Sequence, residues 1–185
     1  MKIFGIITLP GDKSISHRAL ILSALCDGKV RISNLLYCAD TFSTIDNLQK
    51  LGVDIYSDKD YTYVCGKGSN GFQKPDMPLD FKNSGTGARL FMGLLAGEKF
   101  SVTLIGDKSL SARPMGRVKN HLSSFNASID LYNDDYLPAK IFPETLNAAE
   151  VFLNVRSSQV KSACILAALK NKTTSVIHEL AETRN

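Results

Sequence analysis

The sequence has 185 residues, 44% of them hydrophobic and 22% charged, with a formal net charge of +4 and a pI near 8.8. That length supports one good-sized core or two small ones, and the ordinary composition excludes a disordered, collagen-like or coiled-coil chain. The basic excess is mild and scattered rather than gathered into a stripe, which argues against a nucleic-acid binder and suits small anionic substrates.

Residues 1–9 have neither the long apolar run nor the small-residue cleavage site of a signal peptide. Residues 14–26, SISHRALILSALC, read as an apolar helix behind a polar opening, and 30–34 as a strand. Asp40 reads as the N-cap of a helix over 40–51 with Phe42, Ile45, Leu48 and Leu51 on one face, followed by strands at 53–56 and 61–65. The layout then recurs. Residues 84–96, SGTGARLFMGLLA, read as a second apolar helix and 102–105 as its strand. Pro114 takes the first position of a helix over 114–125, with Met115, Val118, Leu122 and Phe125 on one face. Strands at 127–132 and 139–142 follow. A strand at 151–155 leads to a third apolar helix at 158–169, SQVKSACILAAL, and a strand at 174–177.

Self-similarity of this kind predicts a repeat architecture. The expected fold is α/β, a lobe of repeated β-α-β-α-β-β units at about 12–72, 73–145 and 146–185. Helices that are apolar nearly all round are buried inside, and helices with one apolar face lie at the surface. By the repeat, the third unit lacks its amphipathic helix and last two strands, so the lobe reads as truncated within that unit. No stretch reaches the roughly 18 apolar residues of a membrane span. Cys26, Cys38, Cys65 and Cys164 show no C-x-x-C spacing, and three of them lie in apolar sequence. They read as reduced thiols of a cytoplasmic protein, with no zinc site and no cofactor expected.

Each buried helix opens with groups suited to an anion, because a helix N-terminus presents free N–H groups and a partial positive charge. The first opening is Pro10-Gly11-Asp12-Lys13-Ser14-Ile15-Ser16-His17-Arg18, with a point charge, a hydroxyl and a guanidinium fork. The second is Asn83-Ser84-Gly85-Thr86-Gly87 with Arg89, where glycine permits close approach to the backbone. The third is Ser157-Ser158-Gln159 with Lys161. A fourth polar run, 106–114, ends on Arg113 and Pro114. Any one of these serines is most simply a cap, and His17 a helix-start residue with a local hydrogen bond. Neither a P-loop nor a dinucleotide fingerprint is present. Repetition shifts the balance, since pseudo-symmetric helix starts can face one cleft.

The four runs resemble those of the 5-enolpyruvylshikimate-3-phosphate synthase family, in order across the whole chain. They are Pro10-Gly11-Asp12-Lys13-Ser14 with Ser16-His17-Arg18, Asn83-Ser84-Gly85-Thr86 with Arg89, Gly106-Asp107 with Ser109-Leu110 and Arg113-Pro114-Met115, and Ser157-Ser158-Gln159-Val160-Lys161-Ser162-Ala163. Glu182-Thr183-Arg184-Asn185 is similar to the start of that family's next motif. The resemblance implies an enolpyruvyl transferase-like lobe. The implied reaction is attack by the 5-hydroxyl of shikimate 3-phosphate on phosphoenolpyruvate, with loss of phosphate from a tetrahedral intermediate, a transferase step in aromatic amino acid biosynthesis.

By matching position, Lys13 is the implied catalytic residue and touches both substrates. Ser14, Arg18, Ser157, Ser158 and Gln159 are implied to hold shikimate 3-phosphate, and Asn83, Gly85 and Arg113 to face phosphoenolpyruvate. Thr86 and Arg89 support the loop. The resemblance further implies that residues 1–11 form a crossover strand belonging to a second lobe, which supplies the proton-handling groups. This chain alone is therefore expected to bind weakly and turn over little. Two alternatives stand beside this reading: a catalytically silent binding or structural lobe, and the related transferase acting on UDP-N-acetylglucosamine. No nucleic acid or membrane partner is expected.

Overall fold

The computed structural model describes residues 4–7 and 9–180. The described residues before Lys13 take no regular structure, and Phe4, Ile6, Ile7 and Leu9 are exposed. The expected crossover strand at 1–11 falls partly outside the described residues, and the motif at 182–185 wholly so. Helix α1 (Lys13–Leu25) leads to β1 (Asp27–Ser33), α2 (Ala39–Lys50), β2 (Asp54–Ser57) and β3 (Tyr61–Lys67). A second run comprises β4 (Leu79–Asp80), α3 (Gly85–Leu95), β5 (Val102–Ile105), the one-turn α4 (Lys108–Ser111), α5 (Gly116–Leu122) with a 3-10 turn at Ser123–Phe125, β6 (Ile129–Tyr132) and β7 (Tyr136–Ile141). The third comprises β8 (Glu150–Leu153), α6 (Ser158–Ala168) and β9 (Val176–Glu179).

The sheets express the repeat. The second run forms a sheet in the order β4-β5-β7-β6, with β4 parallel to β5 and the remaining pairs antiparallel. The first forms β1-β3-β2, the same order without the leading strand. The third pairs β8 with β9 in parallel, as β4 pairs with β5. The three apolar helices start alike. Asp12, Ser84 and Ser157 each accept a backbone N–H three residues on, from Ile15, Gly87 and Val160, satisfying a donor the helix cannot use internally.

Helix α3 is the axis of the core, with every residue from Leu90 to Leu95 buried. It packs closely on α6 because Gly93 has no side chain; a Cβ there would lie 2.1 Å from the carbonyl oxygen of Ala163. The expectation that the apolar helices are buried on most sides holds most fully for α3, while α1 and α6 each leave some apolar side chains open. Ile15 and Leu22 of α1, and Ile165 of α6, are exposed, because α1 and α6 are the flanking helices of the trio.

Two helix starts differ from expectation. Asp40 is not the cap of α2; Cys38 is, with its backbone N–H donating to Thr41 Oγ1 at 3.0 Å. The inward face is broader than expected. Leu48 and Leu51 are buried and Ile45 packs against the core, but Phe42 is exposed, and Thr41, Thr44 and Asn47 are buried as well. Each of those polar side chains makes a hydrogen bond inward, Thr41 to the Leu36 carbonyl, Thr44 with His17 and Asn47 Nδ2 to the Asp80 carbonyl, while Asn47 Oδ1 has no partner among the described residues. Pro114 likewise lies outside α5. Gly116 begins that helix, its N–H donating to Asp135 Oδ1 at 2.8 Å, so a carboxylate from the β6–β7 turn performs the N-terminal role. The anticipated face of Met115, Val118, Leu122 and Phe125 is buried throughout. All four cysteines are free thiols, but Cys164 is the buried one, Cys26 is exposed, and Cys38 and Cys65 are half-buried.

Candidate functional site

The polar starts of α1, α3 and α6 meet at one end of the lobe. From α1, Arg18 reaches α6: its Nε and Nη2 donate to Ser162 Oγ at 3.2 and 2.9 Å, and Nη2 also lies 3.4 Å from the Ser158 carbonyl. From α3, Arg89 Nη1 donates to Gln159 Oε1 of α6 at 2.9 Å, and Gln159 Nε2 returns a bond to Thr86 Oγ1 at 3.0 Å. Arg89 Nη2 reaches the Pro114 carbonyl at 2.8 Å. The tertiary fold thus joins residues that are 70 or more apart in sequence into one polar surface.

The loop before α3 carries the second half of the arrangement. Arg113 donates through Nη2 to Asn83 Oδ1 and to Ser109 Oγ, the latter at 3.2 Å. Asn83 Nδ2 in turn donates to the Asp107 carboxylate at 2.9 and 3.1 Å. Gly85 lets two guanidinium groups crowd the backbone: a Cβ there would lie 3.0 Å from Arg89 Nη1 and 3.5 Å from Arg113 Nη1. Burial depresses the pKa of Arg89, helped by the nearby charges of Arg113 and Arg117. Guanidinium groups held this close favour an anion among them.

Lys13 is the first residue of α1, and its Nζ lies 2.8 Å from Asp40 Oδ2. The hydrogen bond and charge of Asp40 raise the Lys13 pKa, so the ammonium stays protonated at neutral pH. Between the α1 and α6 starts lies an open cleft of about 720 Å³, bordered by Asp12, Ser14, Arg18, Ser158, Lys161 and Ser162. Ser157 is the cap of α6, its hydroxyl turned to the Val160 N–H at 3.3 Å. His17 faces the interior instead of the cleft. It is fully buried, with Nδ1 2.8 Å from Thr44 Oγ1, and burial pulls its pKa down to about 4.

Sequence reasoning missed three participants. Asp40, a cap candidate by its place in the sequence, is the ion-pair partner of Lys13. Asp107, named only within a motif, anchors Asn83. Ser162, likewise unremarked, binds Arg18. No spacing rule reveals such pairs, since each is made by packing between elements distant in sequence. Among the described residues, no group of three or more His, Cys, Asp or Glu side chains is placed to hold a metal ion.

A family model described as EPSP synthase (3-phosphoshikimate 1-carboxyvinyltransferase) matches residues 1–184. The chain belongs to the EPSP synthase family. Curated relatives named 3-phosphoshikimate 1-carboxyvinyltransferase include one from Limosilactobacillus fermentum, 45% identical over 181 residues, covering 98% of this chain and 42% of the relative. Another, from Ruthia magnifica, is 47% identical over 182 residues with the same coverage. The solved EPSP synthase from Acinetobacter baumannii superposes with a TM-score of 0.93 at 33% identity, over 98% of this chain and 41% of that one. The chain thus spans well under half the length of these EPSP synthases, and its fold is that of the matching part.

Proposed function

We propose that this chain forms the shikimate 3-phosphate-binding wall of an enolpyruvyl transfer site. The observation that carries the reading is the convergence of three helix starts, with Lys13, Arg18, Arg89 and Arg113, at one end of the lobe. In this reading Lys13 touches both substrates. Ser14, Arg18 and Ser158, which border the 720 Å³ cleft, hold shikimate 3-phosphate together with Ser157 and Gln159 of the α6 start. Asn83, Gly85 and Arg113 face phosphoenolpyruvate. Cationic donors fixed before the ligand arrives stabilise developing negative charge without reorganisation at the moment of reaction.

General acid–base groups belong, in this proposal, to the length of the EPSP synthases that the chain does not span. The nearby carboxylates support this. Asp12 at the cleft edge accepts the Ile15 N–H, Asp40 is paired with Lys13, and Asp107 is held by Asn83 and the Leu110 N–H. The Asn83 and backbone hydrogen bonds keep the Asp107 carboxyl below its ordinary range, so it is a poor base at neutral pH. Residues 1–11 are proposed to cross to the second lobe, which fits the exposure of Phe4, Ile6 and Ile7.

Titrating the chain with shikimate 3-phosphate, followed by amide NMR, tests the reading. Shifts are expected at Lys13, Ser14, Arg18 and Ser157 to Gln159. An unchanged spectrum at millimolar ligand would overturn it.

A further inference from the structure

We propose that Ser162 is a positioning residue, whose hydroxyl fixes the Arg18 guanidinium across the seam between α1 and α6. The proposal rests on the reading of the cleft as an anion site. The seam is open on both sides. On one lies the 720 Å³ cleft. On the other lies an apolar groove of about 200 Å³ between Ile21 and Leu22 of α1 and Ile165 and Leu166 of α6, with Leu90 at its floor. Among the described residues, the hydrogen bonds joining the two helices run through Arg18, two of them to Ser162 Oγ.

The hydroxyl serves as a relay. It accepts from Nε and Nη2 along one edge of the guanidinium, and donates its own proton to the Ser158 carbonyl at 2.8 Å. The opposite edge is held by Nη1 donating to the Ser14 carbonyl at 3.0 Å. A guanidinium has five N–H donors. Pinning one edge to Ser162 orients the plane and leaves donor capacity for an anion in the cleft, so a ligand need not order the side chain itself. At the matching position behind their caps, α1 has His17 and α3 has Arg89. A small residue is required on α6 because the Arg18 head group fills that space.

The test compares Ser162→Thr, Ser162→Val and Ser162→Ala in the full chain. Threonine keeps the hydroxyl and valine has the same shape without it, the extra methyl having the groove beside it. Alanine serves where valine disturbs folding. Shikimate 3-phosphate binding is expected to weaken about 10-fold in the valine and alanine variants, the scale of losing a hydrogen bond to a charged group. The threonine variant should bind as the unmodified chain does. In an Arg18→Ala background, the same changes should have no further effect. Equal weakening in that background, or valine binding as tightly as threonine, would overturn the proposal.

A second readout needs no ligand. Hydrogen exchange of the Arg18 Nε–H, followed by NMR, should be slow in the unmodified chain and in Ser162→Thr, and fast in Ser162→Val and Ser162→Ala. Slow exchange in all four would sink the proposal whatever binds. Failure of shikimate 3-phosphate to bind, with the exchange pattern as expected, would count against the anion-site reading and leave the positioning role standing.

Discussion

Acidification should destabilise this fold through His17. The ring is fully buried beneath the α1 start, with Nδ1 against Thr44 Oγ1 at 2.8 Å. Burial pulls its pKa from 6.5 to about 4; the charges of Lys13 and Arg18 push the same way and that of Asp40 opposes them. Above pH 6.5 the ring is neutral in both folded and unfolded chains and contributes no pH dependence. Between the two values the unfolded chain takes up a proton that the folded chain does not, so stability falls as pH falls. The loss approaches about 3 kcal/mol near pH 4, a sizeable part of an ordinary domain's stability.

Urea unfolding at several pH values between 7.5 and 4, for the native sequence and for His17→Asn, measures this. Asparagine can still bond Thr44 but does not titrate. The variant should be the less stable protein at pH 7.5, through lost packing, and the gap should close by about 2–3 kcal/mol as pH falls. Carboxylates titrate in both proteins and cancel in the difference. Curves that stay parallel down to pH 4 would refute the reasoning.

Gly93→Ala should cost about 2–3 kcal/mol and lower the melting temperature, because the new Cβ would meet the Ala163 backbone and force α3 from α6; an unchanged midpoint would mean the helices can separate freely. At the far end of the same helices, Lys170 and Glu98 form an ion pair with side chains 5% and 6% exposed. Burial lowers the Lys170 pKa. Glu98→Gln should cost about 3–5 kcal/mol by leaving that ammonium uncompensated, and replacing both by apolar residues should cost less, as a double-mutant cycle would read. Cys164 is buried and its thiol pKa pushed up to about 12, so iodoacetamide at pH 8 should label the exposed Cys26 and reach Cys164 only on unfolding.

The repeat was legible in the sequence because it is local. Apolar runs behind Asp12, Ser84 and Ser157 set three helices, and alternation set the strands that follow, with β5 found at its observed bounds. The same local reading placed Lys13, Arg18, Asn83, Arg113 and Gln159 in helix openings and polar loops. Elements held by distant contacts were not legible. The two-residue β4 exists because β5 lies beside it, and α5 starts at Gly116 because Asp135 arrives from a later turn. The face of α2 depends on His17 and on the Asp80 carbonyl, partners that no helical periodicity contains.

The same division runs through the site. Sequence determined which groups stand at each helix start, since caps and helix openings are satisfied within a few residues. Only the tertiary structure decided that Arg18 meets Ser162, that Arg89 meets Gln159 and that Lys13 meets Asp40. Hydrogen bonds and ion pairs act over a few ångströms, and it is the packing of α1, α3 and α6 that brings these residues within that range.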